Sequence, residues 1–499
     1  MRIIYLLLFF CCLTVHAKKH PNVVYFFSDQ QNVKTINCYG AVNQNTPNID
    51  KLATQGIKLE NAISSWPVCS PYRAMMITGK YPFNNGVVTN SAEIYKGIPT
   101  MAEFFKKSGY MVGYSGKWHL YFGGMTDVPE EDRCGFDDYW EEVFPLKYRR
   151  QGLPAQYRTE GKKGSYFAGY NIDRGIDFIE MAVDANKPFL AVISVNPPHP
   201  QYFALESDLA KKPADTVIPY KTYGQKPFDL PSGAPYNFKP PSDTAQDIFE
   251  NRDSFIENVL RPYNASCEAI DTDFGRLVQK LKDLGIEKET ILIYTSDHGD
   301  MMGAHNMVNK YQPFEESIKV PFIIRYPAKL KENISSDVLL SPIDILPTIL
   351  DLADIDFDAK QFDGISLAPA LQGKKDAMEN DAVLIMNITG PVWRGVRTKQ
   401  FTYCEMNGRE WFMCDNIKDP DQEVNVIKDP EYAEIKERLK TRMQELLAYA
   451  GDNAYQHVRD TKKYNAIVES TYLDRLEQWE LNNPTKESLM YHYIQKKKK

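Results

Sequence analysis

Asn22-Val23-Val24-Tyr25-Phe26-Phe27-Ser28-Asp29-Gln30 and Thr290-Ile291-Leu292-Ile293-Tyr294-Thr295-Ser296-Asp297-His298 follow one pattern. Each is an unbroken apolar run, rich in β-branched and aromatic residues, that ends on a carboxylate followed by a second polar side chain. Such runs read as strands buried on both faces, as in parallel sheets. Met111–Ser115, Pro188–Val195 and Val320–Tyr326 are similar runs. Helical stretches lie between them. Pro47 to Gly56 takes Gly56 as its stop. Thr100-Met101-Ala102-Glu103 is a capping box opening a helix through Lys107, closed by Gly109. Asn171–Asn186, Leu260–Leu284 (stopped by Gly285) and Pro342–Ala353 complete the set. Alternating strands and helices predict an α/β fold, a large mostly parallel sheet sandwiched by helices. Ligands of open α/β sheets bind beyond the carboxyl ends of strands. Asp29, Lys117, Asn196 and Asp297 all follow strand ends, so segments far apart in sequence are expected to converge on one crevice.

Past Lys375 the pattern changes. Val383–Ile388, Val396–Thr398, Phe401–Glu405 and Trp411–Cys414 are short and turn-separated, and a helix follows over Pro430–Tyr449. They predict a small C-terminal antiparallel-sheet subdomain. The expected organisation is 1–17 signal peptide, 18–375 catalytic α/β domain, 376–455 C-terminal α+β subdomain and 456–499 C-terminal extension. Residues 220–245, rich in Pro, Gly and Asp, read as a long surface loop.

Arg2, an apolar run of about a dozen residues and Val15-His16-Ala17 have the form of a secretory signal peptide cut after Ala17. A secreted or periplasmic protein without stable membrane insertion is expected. Lys and Arg number 59 against 66 Asp and Glu, a net charge of −7. That balance argues against a generic nucleic-acid partner, because phosphate backbones select clustered positive charge. An anionic substrate must meet cations inside a pocket. Aromatics make up 12% of the chain, which suits a sugar-binding cleft. Beyond the signal lie Cys38, Cys69, Cys134, Cys267, Cys404 and Cys414, too few for a disulfide framework in so long a chain. Cys404 and Cys414 flank Asn407-Gly408, and either pair across a hairpin or remain buried thiols.

The sharpest motif is Cys69-Ser70-Pro71-Tyr72-Arg73-Ala74-Met75-Met76-Ile77-Thr78-Gly79-Lys80. Cys-x-Pro-x-Arg followed by Thr-Gly resembles the signature of the type I, formylglycine-dependent sulfatases of the alkaline-phosphatase-like superfamily. The resemblance extends over most of the chain, through Asn45–Ala53, Gly116-Lys117-Trp118-His119-Leu120, Asn196-Pro197-Pro198-His199-Pro200, Ser296-Asp297-His298-Gly299-Asp300, Ile343–Thr348 and Asp363–Leu367. It implies that Cys69 is oxidised to formylglycine (3-oxoalanine) by a formylglycine-generating maturation enzyme. One hydroxyl of the hydrated aldehyde then attacks sulfur.

Asp29, Gln30, Asp297 and His298, with residue 69, are the implied metal ligands, and an oxygen-rich set suits Ca²⁺. Gln30 departs from the Asp usual at its position, and His298 from the frequent Asn. Lys117 and Lys310 resemble the sulfate-contacting lysines, His199 the general acid, His119 the base that removes the second hydroxyl proton, and Arg73 the residue that holds the formylglycine. His305 either lines the site or braces its loop. Tyr72, where a small residue is common, is expected to alter the pocket floor. The implied activity is hydrolysis of sulfate esters on a carbohydrate such as ulvan, carrageenan or glycosaminoglycan fragments. Two alternatives stand beside it: a phosphonate monoester or phosphodiester hydrolase of the same superfamily, and a catalytically dead carbohydrate-binding protein.

Overall fold

The computed structural model describes residues 20–90, 92–121, 128–142, 168–200, 202, 204–225, 251–388 and 392–452. The expected signal peptide, the C-terminal extension and most of the 220–245 loop lie outside these residues.

Among the described residues, eight strands form the main sheet: β1 (Asn22–Asp29), β2 (Ile57–Ala62), β3 (Met111–Gly116), β4 (Tyr139–Glu142), β5 (Phe189–Pro198), β6 (Thr290–Ser296), β7 (Phe322–Arg325) and β8 (Ile334–Leu340). Their order is β4-β3-β5-β1-β6-β7-β2-β8. β1 pairs in parallel with β5 and β6, β3 with β5 and β4, and β2 with β8. β7 runs antiparallel to both β6 and β2. The Val320–Tyr326 run is therefore a buried strand of opposite direction, because an apolar run specifies burial and not polarity.

The sheet is covered on both faces, and β1 shows it residue by residue. Val23, Tyr25 and Phe27 enter one apolar cluster. Val24 and Phe26 enter another on the opposite face. The first face is covered by α2 (Cys69–Thr78), α3 (Met101–Lys107) and α6 (Pro342–Leu352), the second by α1 (Pro47–Thr54), α4 (Ala168–Asp184) and α5 (Arg261–Asp283). The Thr100/Glu103 capping box forms at the start of α3. Gly285, at φ 69°, closes the chain after α5. Gly56 does not cap α1; Gln55 does. A Cβ on Gly56 would lie 2.3 Å from the carbonyl oxygen of Ile324, so glycine is required there by the close approach of β7.

β3, β5, β1 and β6 are neighbours and run the same way, so their carboxyl ends lie side by side. Lys117, His199, Asp29 and Asp297 emerge there in that order. A Cβ on Gly116 would lie 1.8 Å from the carbonyl oxygen of Ser194. Only glycine lets β3 reach β5 so closely just before Lys117.

The second sheet is antiparallel, in the order β12-β11-β10-β9, from β9 (Ala382–Asn387), β10 (Trp393–Thr398), β11 (Phe401–Met406) and β12 (Arg409–Asp415). One face packs on α7 (Ala433–Tyr449) through Leu384, Met386, Val396, Met413, Leu439 and Met443. The other face, with Ile385, Trp393, Cys404 and Phe412, packs on Met301, Met307, Phe314 and Ile318 of the main body. Cys404 and Cys414 are free thiols. The register sets Cys404 against Phe412 and Cys414 against Thr402, so they do not oppose each other as a cross-strand pair.

Candidate active site

Cys69 begins α2 and is wholly buried. Its sulfur lies 3.0 Å from Lys310 Nζ, 3.7 Å from Lys117 Nζ, 3.3 Å from His298 Nε2 and 3.6 Å from Asp29 Oδ1. Burial disfavours a thiolate here. Lys117, Lys310 and His298 outweigh it and bring the Cys69 pKa well below its ordinary value. The same field awaits any anion placed above residue 69.

One ligand atom each from Asp29, Cys69, Asp297 and His298 lie within 4.8 Å of one another, all buried. Arg73 Nη2 bridges the two carboxylates, at 3.0 Å from Asp29 and 3.1 Å from Asp297. Arg73 Nη1 donates to the Lys117 carbonyl and to Ser194 Oγ. The guanidinium stacks over Phe27, 4.7 Å from the ring centre. Lys117 also bonds Asp29 Oδ2. Burial and the Cys69 sulfur push the Asp29 carboxyl up, but Lys117, His199 and Lys310 hold it below the usual range. Burial, with Asp29 alongside, raises Asp297 to about 6. Burial opposes the His298 imidazolium, yet Asp297 moves its pKa upward. Two buried carboxylates, an imidazole and the residue-69 side chain converge here, and the Asp297 carboxyl is strained toward protonation despite the neighbouring cations. These residues fit a divalent cation.

Gln30, at φ 71°, donates its backbone N–H to Asp297 Oδ1 at 3.0 Å. Its Nε2 donates to Asp300 Oδ2 and Asn309 Oδ1, and its Oε1 accepts from Lys310 Nζ at 3.0 Å. A carbonyl oxygen has two lone pairs, so this contact leaves one for a cation.

His119 and His199 both face the Cys69 sulfur. Burial lowers the His119 pKa to about 4, against the pull of the sulfur. His119 sits at φ 63°, a region a bulky residue enters only when its surroundings impose it. Its carbonyl accepts from Ser70 Oγ at 2.5 Å. His199 Nδ1 lies 2.6 Å from the Pro200 carbonyl, a contact made by a protonated Nδ1. Burial, then Lys117 and Lys310, lower its pKa.

All ten expected site residues therefore meet at one place. His305 does not join them: it stacks on Phe314 at 4.3 Å between ring centres and donates its backbone N–H to the Thr222 carbonyl, so it braces its loop. Tyr72 points into the core, 3.1 Å from Tyr25 Oη, and forms no pocket floor. Ser194, Asn309, Tyr202 and Asp300 enter the network without having been singled out. Asp300 follows Asp297-His298-Gly299 in sequence, but nothing in its spacing reveals its partners.

The chain matches the sulfatase family model over residues 21–355. It belongs to the sulfatase family. Residues 303–449 of this sulfatase also match the model of the N-sulphoglucosamine sulphohydrolase C-terminal region. An ulvan-active sulfatase of Formosa agariphila is 30% identical over 478 residues, 93% of this chain and 88% of the relative. A structure solved in complex with its substrate D-glucosamine-2-N,6-O-disulfate superposes with a TM-score of 0.70 at 24% identity, covering 87% of this chain and 99% of that one. The phosphonate monoester hydrolase of Agrobacterium radiobacter superposes with a TM-score of 0.70 at 21% identity, over 86% and 96%; that likeness is one of fold. The sulfatase is accordingly a sulfuric ester hydrolase, of a family that generally uses formylglycine and a metal ion. No helix among the described residues is long and apolar enough to cross a membrane.

Proposed function

We propose that this sulfatase is exported and cleaves sulfate esters of a carbohydrate, with residue 69 matured to formylglycine and Ca²⁺ bound at Asp29, Gln30, Asp297 and His298. The observation that supports it most is the placement of the Cys69 sulfur between two lysine ammoniums and the carboxylate–imidazole donor set. Oxidation of Cys69 replaces sulfur by oxygen, which makes the donor set oxygen-rich and favours Ca²⁺ over softer-ligand metals. Formylglycine hydrate supplies two hydroxyls, one to take sulfur and one to expel sulfate. Ca²⁺ held by Asp29, Gln30, Asp297 and His298 would supply positive charge beside residue 69.

The side chains divide the rest of the work. Lys117 and Lys310 hold the sulfuryl oxygens, where fixed cations need no reorganisation as charge moves to the leaving oxygen. Arg73 keeps Asp29, Asp297 and the Lys117 backbone in register around residue 69. His199, with Nδ1 committed to Pro200, turns Nε2 to the leaving oxygen and donates its proton there. An anionic sulfate between the two lysines offsets their charge, which favours the imidazolium needed for that step. His119, neutral at working pH, accepts the proton of the remaining hydroxyl. The substrate class rests on the ulvan-active relative and on the aromatic-rich composition. The division of the chain at 375/376, and the signal peptide with cleavage after Ala17, belong to the same proposal.

Purified, matured protein offered defined sulfated oligosaccharides should release inorganic sulfate from at least one. It should cleave an aryl sulfate faster than the phosphate ester of the same alcohol. The reverse preference would favour the phosphonate or phosphodiester reading. Binding without release from any member would favour the inert carbohydrate-binding protein.

A further inference from the structure

Asp300 lies just past β6, two residues beyond His298, and is wholly buried. Among the described residues, four donors from three stretches of the chain converge on its carboxylate. Oδ1 accepts from the backbone N–H of Met302 at 3.0 Å and of Asn309 at 2.8 Å. Oδ2 accepts from Gln30 Nε2 and from Tyr202 Oη, the latter at 3.0 Å. Four contacts fill the acceptor capacity of a carboxylate.

Two of these partners lead directly to groups that face residue 69. The first path runs through Gln30. Its amide lies among Asp300 Oδ2, Asn309 Oδ1 and Lys310 Nζ. Asn309 Oδ1 is fixed as an acceptor because it also takes the backbone N–H of Lys310 at 3.0 Å. Asp300 and Asn309 therefore both demand the Nε2 end of Gln30. That demand turns Oε1 to Lys310 Nζ, which in turn lies 3.0 Å from Cys69. A negative charge at the N–H end of an amide also polarises its carbonyl end and strengthens the second bond. The second path runs through Tyr202, three residues after His199. Its ring is buried edge-on against Tyr263 at 5.9 Å between centres, and its hydroxyl ends on Asp300. The segment carrying His199 is thus tied to the carboxylate that orients the lysine.

We propose that Asp300 is a positioning residue that sets two groups at once: Lys310, through the flip of the Gln30 amide, and His199, through Tyr202. This rests on the roles given above to Lys310 and His199. It adds that one buried carboxylate, touching neither substrate nor nucleophile, registers the sulfate-binding cation against the proton donor.

The two paths have separate readouts. Lys310 is read by inhibition of the matured enzyme by inorganic sulfate. His199 is read by the ratio of kcat/KM on a sugar sulfate to that on para-nitrophenyl sulfate, because a proton donor matters most for a poor leaving group. Tyr202→Phe keeps the ring and cuts only the second path. It should lower sugar-sulfate hydrolysis by about tenfold or more, leave para-nitrophenyl sulfate within about twofold, and leave sulfate inhibition unchanged. Asp300→Asn presents an amide N–H to donors on one side of the carboxyl and disturbs both paths. It should weaken sulfate inhibition by about tenfold or more and slow both substrates. His199→Ala is measured in parallel. If His199→Ala is selective for sugar sulfate but Tyr202→Phe slows both substrates equally or neither, the proposal falls while the acid assignment stands. If His199→Ala is itself unselective, the acid assignment falls and the proposal with it. Unchanged sulfate inhibition in a folded Asp300→Asn would overturn the Lys310 path and with it the proposal; should that variant fail to fold, Tyr202→Phe, with the carboxylate in place, still overturns the proposal if it is unselective.

Discussion

The two sheets of this sulfatase carry opposite kinds of information. The central strands of the main sheet, β3, β5, β1 and β6, deliver Lys117, His199, Asp29 and Asp297 at adjacent carboxyl ends, so its topology is the site's geometry. The C-terminal sheet contributes none of the ten residues gathered around position 69. It contributes a floor instead. Trp393 Nε1 on β10 donates to the Tyr311 carbonyl at 2.8 Å, next to Lys310. Arg397 on the same strand makes a buried two-point pair with Glu315, Nε to Oε1 at 2.8 Å and Nη2 to Oε2 at 3.2 Å. Asn309 and Tyr311, on either side of Lys310, both sit at positive φ, 69° and 77°. Such backbone persists only where its surroundings over-determine it, and the second sheet is part of those surroundings. Chemistry is thus concentrated at the strand ends of one sheet, and the loop that completes it is held by the other.

The contrast breaks most visibly if chemistry and stability fail to separate. Asp297→Ala should lower turnover by at least about 10²–10³-fold, the scale seen when a fixed electrostatic group is lost, while the protein stays folded, because Arg73 keeps its bond to Asp29. Chelation should silence the enzyme reversibly for the same reason. Full activity in Asp297→Ala would remove Asp297 from the metal set.

Glu315→Gln should show the converse. It strands Arg397 in a buried position, so unfolding in urea should lose about 3–5 kcal/mol with kcat per folded molecule little changed. The pH dependence has a definite sign. Burial raises the Glu315 carboxyl, but Arg397 outweighs it and holds it below 4.5. The pair's contribution is therefore complete above about pH 4.5 and is lost as pH falls through the lower folded value. Acid unfolding below pH 4.5 should be less steep in Glu315→Gln than in wild type. An unchanged profile would mean the pair carries no stability.

Trp393→Phe is the mildest probe. Losing one hydrogen bond costs about 1 kcal/mol, and it should raise sulfate inhibition constants several-fold through Lys310. If stability drops and sulfate inhibition does not move, the second sheet merely supports the fold and does not register the lysine.

Much of this contrast was legible in the sequence for a physical reason. Strands buried on both faces must be continuously apolar, so a carboxylate or lysine at their ends stands out, and short motifs mark the turns that follow. Direction is not encoded in an apolar run, which is why β7 gave no sign of running against its neighbours. β8 escaped notice because Ile334-Ser335-Ser336-Asp337 lies along an edge and needs no apolar run. Gly56 resembled a helix stop, since spacing cannot distinguish a cap from a close approach of another strand. Tyr72 stands where the family resemblance puts a small residue, which points to the pocket floor, yet the turn of α2 sends it into the core. Asp300 and Tyr202 act through partners far away in the chain, and hydrogen bonds of that range leave no periodicity to read.

In the proposed mechanism residue 69 works as an aldehyde within a cluster of lysines and metal ligands. Mass spectrometry of the peptide spanning Cys69 to Arg73, on preparations matured to different extents, tests it most directly when paired with specific activity. Active preparations should carry an aldehyde in place of the thiol, with activity proportional to the converted fraction, and Cys69→Ala should be inactive but still able to bind substrate through Lys117 and Lys310. Fully thiol-form protein turning over at the same rate would contradict it.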